Sequence, residues 1–426
     1  MPVLFVGSAI PEDMMEQLQQ RDRYPQVAGH KLHWNIIRGL DRASKRPIDL
    51  VSGLPISRFP AHPKIWCGFG RWAHEVGAKD YLIPYINLPG LQHLTRFVST
   101  FVLIMWWLLT ERASEDRMVL VYSLYSPFLL SAVLARSLMG GTFFLIAPDM
   151  PQFMDVDLKR GGLARIGKRL DTSLSTALAR RLDGLIALTG PMAVDLGRET
   201  VPSMVMEGIV DPSQFDSQPA SVAGQHKALK TVLMYTGALG GLEEFLKALE
   251  LVDDASLELW ISGRGALEGT LREAAARDPR IVFLGFVSRS ELRSKMSEAS
   301  VFVLPRASQT PYFQYSFPSK LLEYMLAGRP VLSPPLPGIP EEYHPYLFLL
   351  HDETPEGWAA AIKLVCSLPE KELRDKGNAA REFVLREKNF IRQGQRMFAF
   401  MSQCVQRSRG TGGSEPGQSA LGKNAW

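Results

Sequence analysis

The stretch YSFPSKLLEYMLAGRPVL, residues 315–332, reads as a short helix between a proline-bearing entry and a Gly-x-Pro exit into a strand. Leu321, Leu322, Met325 and Leu326 share one helical face, the spacing that docks a helix on a sheet. Gly328 suits its end. Lys320 and Glu323 fall together on the opposite face. A lysine in the first turn opposes the helix dipole. A local Lys–Glu pair three residues apart contributes only about 0.2–0.5 kcal/mol, which leaves both charges unexplained by the helix alone.

Outward from this helix, short apolar runs alternate with helical patterns over most of the 426 residues. VLFV, IDLVSG, MVLVYS, TFFLIA, GLIALT and SMVM read as strands in the first half, with helices over 30–43, 126–138 and 160–181. TVLMYTG, LELWISG, IVFLG, VFVLP, PVLSP and LFLL do so in the second, with helices over 242–251, 267–276, 291–298 and 321–326. Such β-α repetition predicts parallel sheets covered by helices, and two such halves predict two doubly wound, Rossmann-like domains facing across a cleft. The expected division is an N-terminal domain over 1–210, a linker rich in Pro, Ser and Gly over 211–230, and a second domain over 231–385. A helix over 386–404 would pack back on the first domain, and a disordered tail would follow over 405–426.

With 46% hydrophobic and 22% charged residues the chain has ordinary globular composition. A net charge of +4, without an arginine-rich block or zinc-finger spacing, argues against a nucleic-acid partner. Three well-separated cysteines, Cys67, Cys366 and Cys404, suit a reducing, cytoplasmic setting. The start, MPVLFVGS, reads as a first strand rather than a leader. Residues 97–109 carry no charge, and as a helix of about 20 Å they are too short to span a bilayer. They suit a buried helix or one lying in an interface. Upstream, Arg58, Lys64, Arg71 and Lys79 interleave with Trp66, Phe69, Trp72 and Tyr81, so residues 58–109 carry an expectation of peripheral contact with the cytoplasmic membrane face.

Ligands of open α/β sheets sit beyond the carboxyl ends of the strands. There YTGALGG places Gly237, Gly240 and Gly241 between strand and helix, either to let backbone N–H groups approach a phosphate or to make a tight turn. Arg264 in SGRG ends the next strand, where it could reach a diphosphate or simply face solvent. No G-x-G-x-x-G follows the first strand and no P-loop signature occurs, which leaves dinucleotide oxidoreductases and P-loop NTPases poorly supported.

The order YTGALGG…LELWISGRG…IVFLGFVSRSEL…ASVFVLPR…YSFPSKLLEYMLAGRPVL…GIPE resembles the C-terminal domain of GT-B glycosyltransferases, in the retaining group-1 (GT4-type) family, over roughly residues 231–342. LTGPMAVDL and MEGIVDPSQF resemble, more weakly, the segments leading to that family's linker. The resemblance implies a nucleotide-sugar donor held by the second domain, no metal and no further cofactor. It also implies a saccharide or polyprenyl-linked acceptor, as in surface or extracellular polysaccharide synthesis. Glu323 matches the second Glu of the family's E-x7-E motif, which holds the ribose hydroxyls. Tyr315 stands where the first would be, and Ser316, Ser319 and Lys320 would line the donor. The basic pair usual after the first glycine is replaced by Ala238 to Leu242, and Arg264, Arg306 or Lys320 would substitute for it. Asp149 in APDMPQF is the candidate for orienting the acceptor or taking its proton, with a turn aspartate as the plain alternative. His30 reads as structural. DVD, residues 155–157, matches the metal motif of the other glycosyltransferase fold but suits a solvated loop better. The missing basic pair leaves room for a non-catalytic nucleotide-sugar-binding partner, and the architecture also hosts nucleotide-sugar isomerases.

Overall fold

In a computed structural model, residues 1–22, 27–153, 162–197, 200–215 and 230–410 are described. Among these residues, ten strands precede residue 210: β1 Val3–Gly7, β2 Asp49–Ser52, β3 Trp66–Cys67, β4 Gly70–Trp72, β5 Asp80–Leu82, β6 Tyr85–Ile86, β7 Met118–Tyr122, β8 Thr142–Ala147, β9 Gly184–Ala187 and β10 Ser203–Val205. Eight form one sheet in the order β10-β9-β8-β7-β1-β2-β5-β4, parallel except for β4, while β3 and β6 pair separately. The sequence reading assigned no strand between residues 58 and 86. Two- and three-residue strands carry too few positions for a period of two to register.

The second half supplies β11 Thr231–Ala238, β12 Leu257–Arg264, β13 Ile281–Gly285, β14 Val301–Val303, β15 Val331–Ser333 and β16 Leu347–Leu349. Their order, β13-β12-β11-β14-β15-β16, is parallel throughout and reverses direction between β11 and β14. That reversal opens a crevice at the carboxyl ends of both strands. In the first sheet the equivalent reversal lies between β1 and β7.

The helix of the opening stretch spans Ser319–Leu326 and buries Leu321, Leu322, Met325 and Leu326. Each such side chain contributes roughly 1.5–3 kcal/mol when fully withdrawn from water. Tyr324 adds direction. Its ring stacks on Phe302 at 4.3 Å, and its hydroxyl accepts from the Thr236 N–H at 2.8 Å and donates to the Thr236 carbonyl at 3.1 Å. The helix is thereby pinned to β11 beside the crevice. Gly328, at φ 70°, takes the left-handed turn that ends it.

Two expectations are corrected. The apolar segment over 97–109 belongs to a longer helix, Leu91–Thr110, whose 20 residues are long and apolar enough to cross a membrane by length and composition. The final helix runs Phe390–Gly410, so residues 405–410 are helical rather than part of a disordered tail. Residues 411–426, the DVD at 155–157 and most of the expected linker lie outside the described residues. The final helix returns to the first domain. A Cβ on Gly394 would stand 2.1 Å from the Gly39 carbonyl oxygen, so the helix crosses Val27–Ala43 at a glycine pair.

The two chain crossings between domains meet at one place. Val210 pairs with Asn389 in a parallel bridge, with Val210 N–H donating to the Lys388 carbonyl and Phe390 N–H to the Val210 carbonyl. Beneath it, Lys388 is fully buried. Its ammonium contacts the buried carboxylate of Glu207 and lies 2.6 Å from Glu342. Tyr343 donates to the same Glu207 at 2.7 Å.

Candidate functional site

The carboxyl ends of β11 and β12 are packed unusually close. Gly237 pairs with Gly263 across the sheet, and a Cβ on Gly263 would stand 1.8 Å from the Gly237 carbonyl oxygen. One on Gly265 would stand 2.5 Å from that of Leu239. The Leu239 N–H donates to the Arg264 carbonyl, so the loop after β11 folds down over the end of β12. The glycines of SGRG are thus required by the backbone of the neighbouring loop. Gly240 and Gly241 face open space, where a Cβ would meet nothing. This leaves the loop's outer side accessible beside the crevice.

Three cations lie at or beside the carboxyl ends of this sheet. Arg264 is the last residue of β12, exposed, with its guanidinium 4.2 Å over the Phe286 ring. Arg306 follows β14 and lies 4.9 Å over Phe313. Its charge also reaches the Tyr235 hydroxyl, which donates to the Ala238 carbonyl. Lys320, the second residue of the Ser319–Leu326 helix, has its ammonium 2.6 Å from Glu323. The sequence reading set a local pair aside as too weak to explain these charges, yet here the two satisfy each other. Ser319 opens the helix and is exposed, and Ser316 leads into it with its carbonyl 2.5 Å from where a Cβ on Gly338 would stand.

Tyr315 faces the other domain. Its hydroxyl donates to Asp195 at 2.5 Å, and that carboxylate raises the Tyr315 pKa. Phe153 of the first domain packs against the rings of Tyr312 and Tyr315 at 5.5 and 5.9 Å. Neither Asp195 nor Phe153 was singled out from sequence, because a contact across 120 residues leaves no local pattern.

On the first-domain side Asp149 follows β8, four residues before Phe153. Its side chain is reachable by solvent, but the protein closes round it enough to raise its carboxyl above the usual range. Its charge in turn helps burial to raise the Tyr122 hydroxyl, at the end of β7. The Tyr122 ring lies 4.0 Å from that of His33, which is buried with both ring nitrogens unpartnered. Burial, helped by neighbouring His30, lowers the His33 pKa to about 3. His30 itself meets Glu12 and Trp34 at 3.0 and 3.2 Å. Among the described residues, no group of three His, Cys, Asp or Glu side chains could hold a metal ion.

Residues 230–367 match the sequence model of a family described as Glycosyl transferases group 1. A Bacillus subtilis (strain 168) protein named as a teichuronic acid biosynthesis glycosyltransferase, TuaH, is 29% identical over 119 residues. That match takes in 26% of this chain and 29% of the relative, well under two thirds of its length. The sucrose-phosphate synthase of Thermosynechococcus elongatus superposes with a TM-score of 0.60 at 14% identity, covering 96% of this chain and 99% of that one. The lipopolysaccharide outer core galactosyltransferase WaaB gives 0.60 at 15% identity, over 95% and 99%. Anabaena HepE, in complex with UDP and glucose, gives 0.55 at 13% identity, over 95% and 100%. At these identities the likeness is one of fold, and the expected GT-B architecture of two Rossmann-like domains is borne out.

Proposed function

We propose that this protein is a metal-independent, retaining glycosyltransferase of the GT4 type. It would move a sugar from a nucleotide-sugar donor to a saccharide or lipid-linked acceptor in surface-polysaccharide synthesis at the cytoplasmic membrane face. The observation that carries this reading is the setting of Arg264, Arg306, Lys320 and a helix N-terminus at the carboxyl ends of β11, β12 and β14, inside the segment that matches the group 1 family. That is a place suited to a diphosphate.

In the proposed reaction an acceptor hydroxyl oxygen bonds to the anomeric carbon while the bond from that carbon to the diphosphate breaks. Arg264 and Lys320 would stabilise the charge developing on the leaving diphosphate. Glu323 would exchange Lys320 for the ribose hydroxyls, with Tyr315, Ser316 and Ser319 beside the donor and the backbone at Gly237, Gly240 and Gly241 against its phosphates. Asp149 would orient the acceptor and take its proton. Its raised pKa makes it the stronger base for that step.

A donor screen that follows nucleoside diphosphate release tests this. Release that depends on an added acceptor is expected. A sugar altered without release would replace the reading with isomerisation, and binding without turnover would replace it with a non-catalytic partner role. With the donor found, Arg264→Ala and Lys320→Ala should each raise donor KM and lower kcat. The combined loss in kcat/KM should be about 10- to 100-fold, as for one charge-assisted hydrogen bond. Unchanged kinetics in both variants would remove these residues from the site.

A further inference from the structure

The helix Leu91–Thr110 is two-sided. Arg96, Thr100, Ile104, Trp107 and Leu108 face the sheet. Trp107 donates to Asp49 at 2.7 Å, Arg96 lies 4.0 Å over the Tyr85 ring, and Ser131 donates to the Phe97 carbonyl. These ties hold the helix flat on the domain, so it is not free to insert. Its other side is an unbroken apolar stripe, Leu94, Val98, Val102 and Trp106 at intervals of four, each 47–58% exposed. The stripe is roughly 18 Å long, on a helix of about 30 Å.

The stripe has neighbours. The helix Ser126–Met139 packs beside it and exposes Leu134 and Leu138. The helix Gly162–Ala179 packs beside that one and exposes Ile166, Leu170 and Leu174, again at intervals of four. Next to the first helix, the β3–β6 ribbon exposes Trp66, and Phe69 is exposed just after β3. Patches of this extent on a folded protein mark a docking surface.

Charge identifies the occupant. Across the three helices the only acidic residue is Asp171, half-buried beside His93. Arg165 and Arg169 are exposed on the third helix, Lys64 just before the ribbon and Arg71 on β4. A second copy docked through the same patch would bring these cations against a surface almost without carboxylates. An anionic lipid surface supplies the missing charge together with the apolar layer, and exposed tryptophans suit its boundary.

We propose that this three-helix face docks the protein on an anionic bilayer, with the helix Leu91–Thr110 lying in the interface plane. The 3-10 turn Pro151–Phe153 joins this face to the cleft, since it packs on the third helix while Phe153 touches Tyr312 and Tyr315. The proposal deepens the glycosyltransferase reading by placing a lipid-linked acceptor beside the cleft, but docking itself does not depend on turnover.

The test is flotation with vesicles of phosphatidylglycerol and phosphatidylcholine, against phosphatidylcholine alone, at low and high salt. The protein should float with the anionic vesicles at low salt, and Val98→Glu/Val102→Glu should weaken binding at least about tenfold. Ile166→Glu/Leu170→Glu, on a separate helix, should do the same and keeps the test open if the first variant does not fold. Arg165→Glu/Arg169→Glu should remove the salt-sensitive part. Failure to float, or folded glutamate variants that float like the parent, would overturn the proposal. So would a dimer by light scattering that the glutamate variants dissociate. Diphosphate release with a soluble acceptor separates the two readings: transfer without vesicle binding sinks the docking face alone, and vesicle binding without transfer sinks the activity alone.

Discussion

The two domains share an architecture and divide their polar and apolar residues in opposite ways. In the C-terminal half the exposed large apolar side chains, such as Leu251, Phe286 and Leu364, are scattered singly, as on most soluble surfaces. Its ligand side is shaped by glycine contacts between backbones, at Gly237, Gly263 and Gly265. In the N-terminal half whole helix faces of leucine, valine and tryptophan stand outside, while titratable groups are taken in. His74 bridges Asp80 at 2.8 Å and Asp41 at 3.1 Å, Asp49 receives Trp107, and His33 is enclosed by aromatic rings. The half that matches the group 1 family spends its unusual residues on backbone approach, and the other half on its outer surface and its acceptor side.

The seam between these halves should be the most sensitive point. Lys388 and Glu207 are both buried, so removing one partner leaves the other charge without compensation. Lys388→Met should destabilise the protein by about 3–5 kcal/mol. Urea unfolding read by far-UV circular dichroism measures it. A loss under 1 kcal/mol would mean that Tyr343 alone satisfies Glu207 and that the domains do not depend on the pair. Lys388→Met/Glu207→Gln should recover part of the loss, since the stranded carboxylate goes with the lysine.

Within the C-terminal half, Gly263→Ala should cost about 3 kcal/mol, because the new methyl would need the Gly237 backbone to move. Gly240→Ala, in open space, should cost under about 0.5 kcal/mol and provides the control. Equal effects in unfolding would show that the close strand pair relaxes freely and that the glycines serve only the outer side of the loop.

What the sequence made legible follows the same division. The β-α alternation, the glycine-ended strands and the buried face of Ser319–Leu326 depend on residues within a few positions of one another, so their periods could be read directly. The β3–β6 ribbon was missed because its strands are too short to carry a period. The candidate donor residues came from strand ends and from the family resemblance within one segment, whereas Asp195, Phe153 and Glu207 act through partners far along the chain. Lys388 and Glu207 are separated by 181 residues, and nothing in either neighbourhood marks them as a pair. The outward stripe of Leu91–Thr110 lay in an apolar run whose period could be read, but only packing decides which side of a helix apolar all round meets the core.

Two histidines with buried side chains give the N-terminal half a pH signature of its own. Burial opposes charge on His74, but the Asp41 and Asp80 carboxylates prevail and raise its pKa to about 9. Its folded pKa exceeds the unfolded value near 6.5, so its contribution is complete below pH 6.5 and is lost as pH rises towards 9. His33 has the opposite sign. Its folded pKa near 3 lies below the unfolded value, so stability falls as pH drops from 6.5 towards 3. The protein should therefore melt highest near pH 6.5 so far as these two groups decide. His74→Gln should flatten the alkaline limb, removing on the order of 2–3 kcal/mol of dependence, and leave the acid limb in place. Melting curves from pH 5 to 9.5 measure both limbs, and an alkaline limb unchanged in His74→Gln would show that His74 is not charged in the fold.

A small effect is expected where the two halves touch across the cleft. Tyr315→Phe keeps the ring against Phe153 and removes only the bond to Asp195, an exposed contact worth about 0.5–1 kcal/mol. Asp195→Asn should cost about the same, and the double variant no more than either alone, because both single changes remove one interaction. A double-mutant cycle by urea unfolding yields that coupling energy. Strict additivity would mean that Tyr315 and Asp195 do not meet in solution. Tyr315 would then be free to turn towards the crevice at β11 and β14.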